Sequence, residues 1–266
     1  MISPHHKEFL RKKRQQKVLR YQIAIFSFLL LLGIAAYLSH MSRFRINHAV
    51  LSGGVLVTQN DVESASLNFL QGSYVWMFPK NNSFIYPKAS LQNYLRKTFP
   101  RIDAINISLK NLKTLEVAIT ERKPVGQWCD GNQSCYFLDS NGMIFAPAPQ
   151  FSGNAYFKYY GLVATDTPVG NSYLTGRFSD INDFIASVQN MNLNPAYLVA
   201  KDNGEFSLVM TDGSQIYFDT IQPLSKTAEN LKALLRTPNL LNVNGGYVPF
   251  EYIDLRFGNK LYYKLK

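Results

Sequence analysis

The chain has 266 residues, 46% of them hydrophobic and 17% charged, which excludes a disordered chain and allows one large or two ordinary domains. Lysine and arginine number 28 against 18 acids, for a net charge of +10. Residues 1–20 hold seven of those cations and one acid, Glu8, so the excess sits mainly in that tail and argues against a nucleic-acid-binding body.

Arg20 and Arg43 bracket 22 residues without Lys, Arg, Asp or Glu. Within them Ile23 to Leu38 reads IAIFSFLLLLGIAAYL. Residues 21–40 meet the ~20 apolar residues that a spanning helix needs, with Tyr21 and Tyr37 at interfacial positions. A cleaved signal peptide or a buried core helix are the competing readings. The apolar core exceeds a signal peptide's usual length, and Ala35-Ala36-Tyr37-Leu38 is a poor cleavage site. The basic flank places the N-terminus in the cytoplasm and residues 43–266 on the opposite side.

Residues 44–51 predict a short strand, and Ser52-Gly53-Gly54 a turn. Thr58 caps a helix in which Val62, Ala65, Ser66, Phe69 and Leu70 form the inward face. Residues 74–79 are apolar and irregular. A second helix opens near Pro87 and ends before Pro100, with Leu91, Tyr94, Leu95 and Phe99 at helical spacing. Two alternating segments, 105–109 and 115–119, predict a hairpin. The strand-helix-helix-strand-strand order describes one small α+β domain.

From Pro124 the texture becomes sheet-dominated. Cys129 and Cys135 are the only cysteines and flank a turn-like DGNQS. Outside the cytoplasm a structural disulfide across a hairpin is favoured over reactive thiols or metal binding. Ser140-Asn141-Gly142 and Thr211-Asp212-Gly213-Ser214 mark two further hairpins. Ala146-Pro147-Ala148-Pro149 is expected to break the sheet. One helix follows Ser179 as its cap, and another starts at Pro223. Strands at 247–257 and 261–265 close the chain. The organisation read here is a basic tail (1–20), a transmembrane helix (21–40), a first domain (43–122) and a β domain (123–266).

Three local patterns resemble the FtsQ/DivIB cell-division family. Glu121-Arg122-Lys123-Pro124-Val125-Gly126-Gln127-Trp128 is similar to its E-R-x-P-V-A-x-W junction. Leu138-Asp139-Ser140-Asn141-Gly142-Met143-Ile144-Phe145 is similar to its D-x-x-G-x-x-F hairpin. Tyr252-Ile253-Asp254-Leu255-Arg256-Phe257 is similar to its terminal Y-[VI]-D-L-R-[YF]. Ser52-Gly53-Gly54 departs from the family's V-x-G-N, and the cysteine pair is not a family hallmark. The resemblance implies a POTRA domain followed by a carboxy-terminal β domain, in a division-site scaffold of the cytoplasmic membrane. Its implied partners are FtsB-like and FtsL-like proteins, and through them FtsW and a septal penicillin-binding protein.

The candidate sites follow from these patterns. Glu121, Arg122 and Pro124 form a polar junction that either holds structure or orients the β domain. Trp128 reads as core packing against the disulfide. Tyr252, Asp254, Arg256 and Phe257 lie on a terminal strand. The resemblance implies that this region binds a partner by strand addition at the sheet edge, with Arg256 facing a partner carboxylate. The bland reading is a buried Leu255 beside a solvated Asp254–Arg256 pair.

Enzymatic readings lack residues. No histidine lies beyond His48, and no Gly-x-Ser-x-Gly, Ser-x-x-Lys, Walker or Gly-x-Gly-x-x-Gly motif occurs. Asp180, Asp183, Asp202 and Asp212 sit at caps and turns. No cofactor or metal is expected. A membrane-anchored cell-wall hydrolase and a POTRA-type export or assembly chaperone are the alternatives to the scaffold.

Overall fold

The structure is a computed structural model describing residues 4–131, 134–151, 155–163, 165–241, 246–258 and 260–266. It opens with helix α1 (Pro4–Ser39). The 24 residues Gln16–Ser39 are long and apolar enough to cross a membrane. At ~1.5 Å per residue they extend roughly 36 Å, past the ~30 Å hydrocarbon layer. The side chains of Ile23, Phe26, Leu30 and Leu31 are exposed along this helix, with no protein covering them.

The chain divides into two compact units, residues 1–99 with 104–121 and residues 100–103 with 122–266. The class is α+β, as the sequence predicts. In the first unit, β1 (His48–Ser52) leads to α2 (Gln59–Phe69). The Thr58 hydroxyl accepts the Asp61 N–H at 3.2 Å and donates to the Asp61 carboxylate at 2.7 Å. That closes the first helical turn in the manner of a capping box.

A short hairpin, β2 (Ser73–Tyr74) with β3 (Phe78–Pro79), occupies the stretch that reads as irregular in the sequence. Then come α3 (Lys88–Thr98), β4 (Ile102–Asn111) and β5 (Thr114–Glu121). The sheet order is β1-β5-β4, with β1 parallel to β5. Leu115, Val117 and Ile119 of β5 are buried and alternate with less buried neighbours, so one face meets the helices. Val62, Leu91 and Leu95 are the buried helical side chains that complete this core.

The second unit is built on one nine-stranded sheet. Its strands are β6 (Gly126–Cys129), β7 (Cys135–Leu138), β8 (Ile144–Ala148), β9 (Phe157–Tyr160), β10 (Pro195–Ala200), β11 (Glu205–Met210), β12 (Gln215–Asp219), β13 (Phe250–Phe257) and β14 (Lys260–Leu265). The spatial order is β14-β13-β12-β11-β10-β9-β6-β7-β8. Pairs β6–β9, β9–β10 and β12–β13 are parallel. Helices α4 (Phe178–Gln189) and α5 (Leu224–Leu235) cover one face. Ile181, Phe184 and Val188 of α4 and Leu231 and Leu235 of α5 pack on Leu198, Leu208, Ile216 and Ile253 of the sheet.

Several local expectations are corrected. Ser179 does not cap α4: the helix already includes it, and the cap residue is Arg177, with no side-chain bond. Pro147 does not break the sheet. It lies within β8, an outermost strand, where a missing N–H on the outer side removes no ladder bond. Strands β9 and β10 go unread in the sequence: β9 is parallel to both its neighbours, whereas β10 also pairs antiparallel with β11 across a link containing Asn203-Gly204. Cys129 and Cys135 face each other across the β6–β7 pair and are joined by a disulfide, Cα–Cα 4.1 Å. Trp128 is buried (3% exposed) in the core, but not against that bond. Side chains alternate along β6, so Trp128 faces the helices while Cys129 points the opposite way. Its indole donates to the Gly161 carbonyl at 3.0 Å.

Candidate protein-binding edge

A nine-stranded open sheet has two ends, and their chemistry differs. At the β8 end the outer ladder is occupied by a loop. Ile144 donates to the Asn171 carbonyl at 2.9 Å, and Gly170 donates to the Ile144 carbonyl at 2.7 Å. Pro147 removes a further donor. At the other end, among the described residues, no strand pairs with the outer side of β14. Its sequence alternates Lys260, Tyr262 and Lys264 with Leu261, Tyr263 and Leu265. Leu261 and Tyr263 pack against the core, while Tyr262 is half exposed. This is the edge available for strand addition.

Of the four residues read as partner-binding, none lies on that outermost strand. All four are on β13, which is interior and paired on both sides: Asp254 stands opposite Tyr217 of β12 and Tyr262 of β14. Tyr252 is half-buried, with its ring 6.0 Å from Tyr217. Phe257, at the end of β13, is exposed and sets its ring 5.2 Å from Tyr262, edge to face. The two rings form an aromatic pair near the turn end of the β13–β14 hairpin.

Asp254 and Arg256 form a network within the chain. Arg256 Nε and Nη2 donate to the two Asp254 carboxylate oxygens at 2.9 and 2.6 Å, and the Arg256 backbone N–H adds a third bond at 3.1 Å. Nη1 meets Glu205 at 2.7 Å, and the guanidinium lies 5.4 Å from the Tyr217 ring centre. The pair is therefore not simply solvated, since Asp254 is only 6% exposed. Ile253 and Leu255 join the core, while Asp254 between them lies on the other face and is buried against Arg256, so both faces of β13 are covered here.

Burial alone would raise the Asp254 carboxyl, but the side-chain and backbone bonds from Arg256, with its charge, hold it below the usual carboxylate range. The bond from Asp254, joined by Glu205, raises Arg256 in turn. Arg256 thus already has two carboxylates within the chain, Asp254 on its own strand and Glu205 on β11.

Two ion pairs fasten the edge strand: Lys264 to Glu251 at 2.6 Å and Lys266 to Asp212 at 3.3 Å. Lys264 is raised by the bond and charge of Glu251. Sequence reasoning missed Glu205, Tyr217 and Tyr262. The Lys260-x-Tyr262-x-Lys264 alternation carries a signal for Tyr262. Glu205 and Tyr217 come from other strands, and no local spacing reports them.

The junction residues separate in role. The Glu121 carboxylate accepts the backbone N–H groups of Val55, Leu56 and Val57, each at 2.8 Å, and so holds the loop before α2. Arg122 donates through Nε to the Pro100 carbonyl at 2.9 Å and through Nη1 to Asp103 at 3.1 Å and to buried Asp139. Asp139 also accepts the Asn141 and Met143 N–H groups at 2.8 and 2.9 Å, which shapes the β7–β8 turn. Pro124 is half-buried between Arg122 and β6.

The family model described as "Cell division protein FtsQ/DivIB, C-terminal" matches residues 126–256. The chain is also 23% identical, over 212 residues, to the protein named "Cell division protein FtsQ" of Mycobacteroides abscessus. That match covers 79% of this chain and 62% of the relative, so the chain spans under two thirds of that protein's length. The matched interval runs from the first residue of β6 through Arg256, across the sheet just described. The second unit thus carries the C-terminal domain of the FtsQ/DivIB family of cell-division proteins.

Proposed function

We propose that the protein is a non-enzymatic, single-pass scaffold of the bacterial division machinery. The basic tail, residues 1–20, lies in the cytoplasm, residues 21–40 cross the cytoplasmic membrane, and residues 43–266 lie outside it at the septum. The first unit serves as a POTRA domain that contributes to recruitment. The second unit recruits an FtsB-like protein, itself joined to an FtsL-like one, by addition of a strand to the free side of β14. That complex regulates septal peptidoglycan synthesis by FtsW and a penicillin-binding protein.

The observation that supports this reading best is the asymmetry of the sheet ends. One end is covered and interrupted by proline, while the other presents a free strand with an exposed Phe257–Tyr262 pair. Backbone bonds to β14 supply affinity, and the aromatic pair supplies register. Lys260 and Tyr262 favour a partner strand carrying carboxylates and apolar side chains. Tyr252, Asp254 and Arg256 support the site from the neighbouring strand.

The test is a titration of the detergent-solubilised full chain with the extracytoplasmic segment of the same organism's FtsB-like protein. Phe257→Ala, Tyr262→Ala and Arg256→Glu are run alongside. Loss of about tenfold or more in affinity for the two aromatic variants, with unchanged circular dichroism, supports the edge site. Unaltered binding moves the site elsewhere. Absence of binding even with the FtsL-like protein, or equal competition by unrelated β-rich peptides, overturns the scaffold reading.

A further inference from the structure

The lower end of the first unit carries an apolar surface that strand addition at β14 does not use. The last turn of α1 is clasped by residues 78–85. Asn82, itself buried, donates through Nδ2 to the Ser39 carbonyl and hydroxyl at 3.1 and 3.2 Å. Ser83 donates to the Phe44 carbonyl at 2.9 Å, and Ile46 to the Asn81 carbonyl at 2.7 Å. Phe44 and Phe84 pack ring to ring at 5.4 Å. Alongside, Ala35 and Leu38 of the helix line an apolar cleft of about 380 Å³ together with Phe78, Phe84 and Ile85. Phe78 therefore sits level with Ala35. That residue lies four positions before Ser39, about 6 Å back along the helix toward the bilayer.

The tip of the β2–β3 hairpin extends from this level. Val75 and Trp76 adopt φ of +44° and +51°, with Met77 N–H bonded to the Tyr74 carbonyl at 3.1 Å. Two successive positive φ angles at the centre of a β-turn normally call for Asn-Gly. A β-branched valine and a tryptophan are strained there. Both side chains are exposed, Val75 75% and Trp76 84%, as is Phe84 of the cleft at 70%. The chain on either side of them, apart from Asp61 and Glu63 in α2, carries charge of one sign. Residues 39–60 and 64–102 contain Arg43, Arg45, Lys80 and Lys88 among their cations and no carboxylate side chain.

We propose that this end of the first unit is a membrane-docking surface, with Val75, Trp76, Phe84 and Ile85 immersed in the lipid interface on the body's side of the bilayer. The four cations meet anionic phospholipid headgroups. The proposal rests on the reading of residues 21–40 as a membrane span, which fixes the depth of Ala35. Indole and phenyl rings favour that depth, and apolar side chains enter such an interface by about 5–10 Å. The span and the hairpin thereby hold the first unit against the bilayer at two points.

Trp76 and Trp128 are the only tryptophans, so the wild type minus Trp76→Phe isolates the Trp76 signal without altering the core. The full chain is reconstituted into phosphatidylcholine–phosphatidylglycerol vesicles containing lipids brominated high or low on the acyl chain. The expected result is loss of most of the Trp76 emission with the shallow bromines, a smaller loss with the deep ones, and protection from aqueous acrylamide. Free quenching by acrylamide and none by bromine, in protein that floats with the vesicles after an alkaline wash, overturns the docking surface and leaves the span intact. Failure to float overturns the span and the proposal with it. Vesicles of phosphatidylcholine alone are expected to reduce the bromine effect, and an unchanged effect refutes the role of the cations.

Discussion

Arg256→Ala isolates the contribution of one buried ion network. The substitution leaves the Asp254 carboxylate, 6% exposed, with one backbone N–H in place of three bonds and a charge. Breaking a fully buried pair costs about 3–5 kcal/mol, because the surviving charge stays desolvated. The Arg256 side chain keeps a quarter of its surface in solvent, which scales the loss to roughly 2–3 kcal/mol. For a unit of this size that lowers the midpoint by roughly 5–10 °C. In a Trp76→Phe background Trp128 is the sole tryptophan, and it is buried in the second unit. Its emission during heating therefore reports that unit alone.

The sign of the pH dependence follows from the network. Asp254 is held low in the folded protein, so its stabilisation is present above the unfolded carboxyl value of about 4 and is lost as pH falls through the lower folded value. In Arg256→Ala the isolated carboxyl moves up instead, and protonation relieves it. The gap between variant and wild type is expected to close as pH falls from 7 toward 3. Replacing both partners, as Asp254→Asn with Arg256→Met, is expected to lose less than Arg256→Ala at pH 7. A midpoint drop under about 2 °C for Arg256→Ala, or a gap that widens in acid, refutes the reasoning.

Other perturbations test the frame around the edge. Replacing Cys129 and Cys135 with serine releases a cross-link spanning six positions and is expected to cost about 2 kcal/mol, read by denaturant titration, with a two-proton mass difference on reduction of the wild type. Gly161→Ala forces a side chain at φ +88° to within 2.1 Å of the Ala200 carbonyl. The β9–β10 register must give, and a loss of about 2–3 kcal/mol is expected, since positive φ and a backbone clash act together. Thr58→Ala removes the α2 cap and should cost about 1 kcal/mol in the first unit, with no change in Trp128 emission.

The parts legible in the sequence were those that local chemistry decides. The Thr58-x-x-Asp61 cap, the apolar face of α3, the β4–β5 hairpin, the Asn141-Gly142 turn and Pro223 before α5 all depend on neighbours within one turn or one hairpin. Strand β9 escaped because it pairs in parallel with segments far along the chain and Phe157–Tyr160 is too short to show a period; β10 was missed although Asn203-Gly204 links it to antiparallel β11. Trp128 read correctly as core but on the wrong side, since adjacency to Cys129 in sequence means opposite faces in a strand. The Asp254–Arg256 pair was visible from its i, i+2 spacing. Its burial was not, because Glu205 and Tyr217 arrive from β11 and β12. Arg256 therefore read as suited to a partner's carboxylate, with no sign that the chain itself supplies it with two.

The same network bears on how an open edge is kept available without self-association. An unpaired strand invites pairing with any other chain, and lysines along it are a common deterrent. Here the lysines also have anchors: Lys264 on Glu251 and Lys266 on Asp212 tie β14 to neighbouring elements. Arg256 then ties the neighbouring β13 to β11 through Glu205. The strand is thus pre-ordered, which lowers the entropic cost of adding a partner to it. Two copies meeting edge to edge would bring lysine rows together, whereas a partner strand bearing carboxylates would not suffer that repulsion. Reversing the sign at Lys260 and Lys264 with glutamate should weaken an acidic partner strand and also break the Lys264 anchor. Lys260→Glu alone separates these effects, since Lys260 has no ion-pair partner among the described residues. It is expected to slow association in a salt-dependent way while leaving the melting midpoint unchanged. A Lys260→Glu protein that binds as fast as wild type at low salt would show that edge charge does not select the partner.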